Sequence, residues 1–385
     1  MTPLCTLVAG MLLAAQPPVP YAPVVPSPGA PPAQGAMPKP PAFRAAGVDA
    51  TVGEMRLEQK YVARRVAEMA MAKRNGGLST DADRHATFAD IQRYAEIEKG
   101  LAVLDGERVE AILNQILSLS ELEDYFRVRA GAGLVKEEAY LFVRFHRLGA
   151  RASLLEEVKA DPAVVRRHRE SQVAVGKSRD EYFAKRAEAG VLAEDEVSSG
   201  AERANSEASS AAARAATPAE RDAVNRKAVE SLKDAEKYLA ERIGGGLAKE
   251  STMHFVTYLR LDAELREVSA AEKPPVDRVL QLAERRRGVI RRALELMVAQ
   301  RNGGLFLQTD TDQFRKAQGY LVEAELALAE NAEARRVVLK RNLEVAVENE
   351  EYFAKRVANG MVHPSQRDRS TCDRIEAEIR LKLVK

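Results

Sequence analysis

The chain has 385 residues, 45 % of them hydrophobic and 30 % charged, with 59 Lys and Arg against 57 Asp and Glu. That balance describes a folded chain rather than a disordered one, and it lacks the clustered basic excess expected of a nucleic-acid binder. Aromatic residues make up only 5 % and there are two cysteines, so the fold is expected to rest on aliphatic cores rather than on disulfides.

In chain order, residues Leu4 to Ala15 form an apolar run too short to span a bilayer but suited to a secretory signal. Residues 1–15 are therefore expected to be a signal peptide cleaved near Ala15, although no Lys or Arg precedes the run. Cys5 lies inside it, which leaves Cys372 as the one thiol of the exported chain. Residues 16–42 hold eleven of the seventeen prolines, a composition that favours extended polyproline II and reads as a disordered linker or spacer.

From residue 43 the pattern changes. Gly77, Gly133, Gly190, Gly246, Gly304 and Gly360 are separated by 56, 57, 56, 58 and 56 residues. Each precedes an apolar residue: Leu78, Leu134, Val191, Leu247, Leu305 and Met361. A fixed period of this size is the mark of a repeat architecture. Pro162, Pro218 and Pro274 recur at 56-residue spacing, about half a period out of phase with the glycines. Proline breaks helix interiors, so these residues mark element ends.

The two series of corners predict twelve helices, at 50–75, 79–104, 107–130, 136–159, 163–188, 193–216, 219–243, 249–271, 276–301, 308–330, 332–358 and 364–384. Each would be about 25 residues, or about 37 Å, long. The expected fold is all-α: six antiparallel helical hairpins of about 56 residues over 43–385, stacked as a solenoid or an elongated coiled-coil-like bundle. In 107–130, Val109, Ile112, Ile116, Leu119, Leu122 and Phe126 recur every three or four residues, giving one apolar face.

The glycine corners are expected to be left-handed helix caps, with the following apolar residue folded back on the last turn. A bulky residue stands eight positions earlier (Met69, Tyr125, Tyr182, Tyr238, Leu296, Tyr352). A polar, mostly basic one stands four earlier (Lys73, Arg129, Arg186, Arg242, Gln300, Arg356), where it offsets the helix dipole. One segment departs from the pattern: 197–216 is almost wholly Ala, Ser and charged, with Ala201, Ala204, Ala208, Ala211 and Ala215 at stripe spacing. Either its neighbours approach very closely or it is the weakest helix.

The residues that carry chemistry elsewhere form no motif here. His85, His146, His168, His254 and His363 make neither a His-Glu-x-x-His nor a Glu-x-x-His pattern. His85 and His254 share a repeat position and read as surface histidines. Gly176-Lys177-Ser178 lacks the earlier glycine and the strand of a phosphate loop. Gly131-Ala132-Gly133 reads as a helix cap. Cys372 reads as a buried or idle thiol. Glu137-Glu138 and Glu350-Glu351 read as solvated helix faces, and the runs Arg166-Arg167, Arg285–Arg287 and Arg335-Arg336 as partners in ion pairs across helices. No catalytic, cofactor-binding or metal-binding residue is assigned.

The segment Glu181-Tyr182-Phe183-Ala184-Lys185-Arg186-Ala187-Glu188-Ala189-Gly190-Val191, followed by a second helix, resembles the helical hairpins of outer-membrane efflux proteins of the TolC family. Thr217-Pro218-Ala219-Glu220-Arg221 and the segment Leu321–Ala329 are similar to secreted bacterial helical-repeat proteins. The chain departs from the TolC family in its shorter hairpins and in lacking strands for a membrane barrel, so no site residue carries over. The resemblance implies an exported protein of the periplasm or envelope. The expected role is non-enzymatic: a scaffold that binds protein partners through its helical faces, with possible membrane or envelope association and no nucleic acid. The alternatives are an accessory of an efflux or secretion assembly, and an enzyme with a site between repeats.

Overall fold

The computed structural model describes residues 51–75, 81–189, 192–271, 274–303 and 308–384. The expected signal peptide and Pro-rich linker lie outside the described residues, as do Gly77, Gly190 and Gly304. Twelve helices are described: α1 Val52–Asn75, α2 Asp81–Leu101, α3 Asp105–Gly131, α4 Glu137–Glu157, α5 Pro162–Glu188, α6 Glu194–Arg214, α7 Pro218–Gly244, α8 Glu250–Ser269, α9 Val276–Asn302, α10 Gln308–Leu328, α11 Ala332–Ala358 and α12 Pro364–Leu383. The all-α repeat fold expected from the glycine and proline corners is the fold observed, and no strand occurs among the described residues.

The corners form as their residues dictate. Gly133, Gly246 and Gly360 have φ of 69°, 69° and 65°. At each, the following residue donates its N–H to the carbonyl five residues earlier, the long bond of the Schellman motif: Leu134 to Arg129 at 2.9 Å, Leu247 to Arg242 at 2.8 Å, Met361 to Arg356 at 2.9 Å. The opposite ends use N-caps. The Thr217 side chain accepts from Glu220 N–H and that of Asn331 from Ala334 N–H, with Pro218 in the first turn of α7.

Two features of the glycine corners differ from expectation. The apolar residues do not fold back: Leu134, Leu247 and Met361 are 63, 63 and 64 % exposed. The backbone bond satisfies the cap by itself, so burial of these side chains is not needed to close the corner. The arginine four before the glycine stacks on the tyrosine eight before it. The guanidinium carbon lies 5.4 Å from the ring centre for Arg129 on Tyr125, 5.7 Å for Arg186 on Tyr182, and 5.6 Å for both Arg242 on Tyr238 and Arg356 on Tyr352. An i,i+4 cation–π contact thus recurs in four hairpins, alongside the favourable position of the charge in the helix dipole.

The hairpins are unequal. Of the odd-numbered helices α1 has 24 residues and the others 27, whereas the even-numbered ones have 20 or 21. Even helices are enclosed: α8 buries Phe255, Val256, Tyr258, Leu259, Leu261 and Ala263, all around its circumference. Odd helices bury a single stripe: α11 buries only Leu339, Ala346 and Phe353, seven apart.

Most odd helices pack between the two even helices that flank them in sequence, and α12 packs against α1, so the array closes on itself. At that closure Met55 of α1 shares a cluster with Ile375 and Ile379 of α12, and Val62 and Ala63 share one with Cys372. Side chains also link neighbouring even helices: Phe88 of α2 to Phe142 of α4, Asn205 of α6 to Asp262 of α8, Tyr258 of α8 to Tyr320 of α10, Arg315 of α10 to Asp373 of α12, and Arg369 of α12 to Asp90 of α2. The last joins of the even series are charged. Lys136, at the start of α4, reaches Glu196 of α6 at 2.9 Å, and Lys249, at the start of α8, pairs with Asp310 of α10. The result is an inner ring of short helices and an outer layer of long ones.

Candidate functional site

Closure brings one register of every repeat toward a common centre. The residues thirteen after each corner glycine are Asp90, His146, Arg203, Leu259, Ala317 and Asp373. Four of them, Asp90, His146, Arg203 and Asp373, line a cavity of about 800 Å³ walled by α2, α4, α6, α10, α11 and α12, with Arg179 of α5 also on its lining. Leu259 of α8 does not reach it. Lys316 of α10 pairs with Glu202 of α6 at 2.5 Å, and both line the cavity.

The wall has two characters. On α2, α10 and α12 it is ionic. Asp373 accepts from Arg93 Nη1 at 2.7 Å and from Arg315 Nε at 2.7 Å. Burial would raise the Asp373 carboxyl, but Arg315 and Arg93 outweigh it and hold it below the usual carboxylate range. Asp90 is buried and accepts from Arg369 Nε at 2.9 Å; there burial prevails and the carboxyl lies above its ordinary range despite Arg369 and Arg315. Farther along, Arg380 pairs with Glu323 at 2.6 Å and with Glu376 at 3.5 Å.

On α2 and α4 the wall is aromatic. The His146 ring centre lies 4.1 Å from that of Phe88, 4.6 Å from Phe142 and 5.3 Å from Phe145. Burial, reinforced by Arg179 and Arg203, lowers its pKa to about 3, so the imidazole is neutral. Glu207 of α6 lines the same space with its carboxyl raised by burial, and Arg203 only partly offsets this.

The residues singled out in the sequence lie elsewhere. His254 is half-buried on α8, and the His85 side chain lies outside the described residues. His168 Nδ1 sits 3.1 Å from the Val164 carbonyl within α5. His363 caps α12, its Nδ1 accepting from Ser365 N–H at 3.3 Å. Cys372 is buried, its thiol pushed up to about 12 by burial, which keeps it protonated. Gly176-Lys177-Ser178 lies inside α5, a helix and not a loop.

Arg286 is buried and pairs with Asp262 of α8, and Arg336 donates to the Val384 carbonyl at 3.2 Å, so these members of the basic runs are engaged within the protein. The acidic pairs need correction. Glu138 is 1 % exposed and accepts from the buried Arg179 at 2.6 Å, so it ties α4 to α5 instead of facing water. Glu350 binds Thr371 and Arg374 of α12, each at 2.6 Å.

Sequence reasoning missed His146, Asp90, Asp373, Arg93 and Arg315. The register shared by Asp90, His146 and Asp373 was a usable signal, but the residue types differ from repeat to repeat and Arg93 and Arg315 stand outside that register, so no motif marked them. Among the described residues no group of three or more His, Cys, Asp and Glu side chains is arranged to hold a metal ion, and no helix is long and apolar enough to cross a membrane. Comparison with family models, with curated proteins and with solved structures finds no match.

Proposed function

We propose that the protein is a non-enzymatic binding body of the bacterial envelope, a closed ring of helical hairpins that engages a protein partner. The observation that carries this is the state of the cavity's ionic wall. Asp90, Asp373, Glu202, Glu323 and Glu376 are each tied to a guanidinium or ammonium. Carboxylates so neutralised brace walls and orient a bound group; a general acid or base needs a pKa poised near the working pH.

A second reading, an accessory that docks end-on in an efflux or secretion assembly, is favoured by the glycine-corner end. There Leu134, Leu247 and Met361 stand exposed. Apolar residues projecting from helix corners suit insertion between the corners of another helical body.

The test is an affinity pulldown from envelope extract with the chain from Phe43 onward as bait. A stoichiometric partner retained by the native chain is expected. Loss of that partner on L134S/L247S/M361S would assign it to the corner end, and its retention would assign it to the helical faces. Absence of any stoichiometric partner would overturn the reading.

A further inference from the structure

The ring is not equally tight around its circumference. Its widest gap is between α5 and α6, where the two backbones barely approach each other. A cleft of about 740 Å³ opens there, floored by α6 and flanked by α5 and α7. Phe183, Leu192, Val197, Ala204, Val224 and Tyr238 line it. Arg203 and Glu207 border both this cleft and the central cavity. The two spaces therefore meet at one turn of α6, with a mainly apolar slot that also carries Asp180, Glu196, Lys227 and Asp234 on one side and the ionic cavity on the other.

Arg203 stands at the junction. It donates to Asp180 at 2.5 Å and lies with its guanidinium 5.6 Å from the Phe183 ring centre. Among the described residues Asp180 is its one hydrogen-bond partner, and a guanidinium has five N–H groups to offer. Glu207, one turn further along, makes no ion pair among the described residues. The junction thus offers spare donors where the apolar slot ends, and both spaces fall within the usual range for ligand pockets, about 300–1,000 Å³.

We infer that the cleft and the cavity form one binding site for a single-chain amphiphile, its apolar chain along α6 and its anionic head at Arg203. The slot is open because α6 floors it with small residues, Gly200, Ala201, Ala204, Ala208 and Ala211. An unbranched chain matches a slot floored by one helix face and flanked by Phe183 and Tyr238. The head group meets the guanidinium by a charge-assisted bond.

The test uses the full chain and calorimetric titration with dodecanoate, decanoate, dodecanol and dodecyltrimethylammonium. One dodecanoate per chain is expected. Each methylene removed from water is worth about fourfold in affinity, so decanoate should bind about fifteenfold more weakly. Dodecyltrimethylammonium should bind at least about tenfold more weakly than dodecanoate. Gly200 lines the cleft, and a Cβ atom there meets nothing within 4 Å. Gly200→Leu should therefore fold, with a melting temperature at or above that of the native chain, and lose at least about tenfold in dodecanoate affinity. Arg203→Gln should weaken dodecanoate by about tenfold and leave dodecanol unchanged. Three results would each overturn the proposal: no saturable dodecanoate binding by the folded chain, undiminished binding by folded Gly200→Leu, or tighter binding of the cationic amphiphile.

Discussion

Helices α6 and α8 occupy the same place in consecutive repeats and solve the same packing problem in opposite ways. Positions 56 apart read Ser199 against Phe255, Gly200 against Val256, and Asn205 against Leu261. In α8 those side chains are buried to 0 % exposure, and Phe255 and Val256 join the largest apolar cluster among the described residues. In α6 the small side chains allow close backbone packing against α8 and leave a cleft toward α5. The close approach that the alanine stripe left open is therefore present on the α8 side of α6, with an open cleft on its α5 side. Burying Ala in place of Leu forgoes on the order of 2 kcal/mol per position, so the lesson is that one backbone period tolerates a rigid sector beside a soft one.

The largest expected effect lies at the closure of the ring, the counterpart of the open α5–α6 side. Asp90 and Arg369 are each 7 % exposed and hydrogen-bonded. Asp90→Ala removes the carboxylate that both Nε and Nη2 of the buried Arg369 guanidinium bind and should cost about 3–5 kcal/mol in urea denaturation. A loss under about 1 kcal/mol would mean that the α2–α12 contact does not hold the ring shut. In the rigid sector, Leu259 is 0 % exposed. Leu259→Ala should cost about 3 kcal/mol or more by the same measurement. A cost as small as that of an alanine-stripe change would erase the contrast with α6.

The fold was largely legible in the sequence. Glycine and proline act through local backbone geometry, and their two series placed every helix boundary within a few residues. Gly133, Gly246 and Gly360 adopt the left-handed corner that the spacing implied. The meeting of α1 with α12 was not legible, because residues more than three hundred positions apart, such as Gln59 and Glu376 at 3.0 Å, carry it. The alternation of long outer and short inner helices was hidden too, since both kinds show apolar periodicity. The cavity was least visible of all. Asp90, His146, Arg203 and Asp373 share a register but neither charge nor type, and only closure turns that register into a site. Glu138 looked like half of a solvated acidic pair because its partner, Arg179, lies on the next helix.

A pH series separates the aromatic wall from the rest. The unfolded His146 side chain takes up a proton near pH 6.5, whereas in the folded chain its pKa is about 3. Between those values the unfolded state binds the extra proton, so this group's contribution to stability is complete above about 6.5 and is lost as pH falls toward 3. His146→Phe should therefore show a smaller drop in stability from pH 7 to pH 4.5 than the native chain. An equal drop would mean that the imidazole is protonated in place.

The smallest effects are expected in the soft sector. Gly200→Ala should stabilise the protein by about 0.5–1 kcal/mol, because a methyl group there meets nothing within 4 Å and restricts the unfolded chain. Asp180→Ala removes the ion pair between α5 and α6, whose carboxylate is 63 % exposed, and should cost at most about 1 kcal/mol in urea denaturation. A larger loss would mean that this pair, and not packing, holds α6 in the wall.

The contrast is tested most directly by amide hydrogen exchange compared between α6 and α8 in the native chain. Exchange of the α8 amides should be among the slowest in the ring, and the interior amides of α6 should exchange fastest among the twelve helices. Equal protection in the two helices, or slower exchange in α6, would contradict the account.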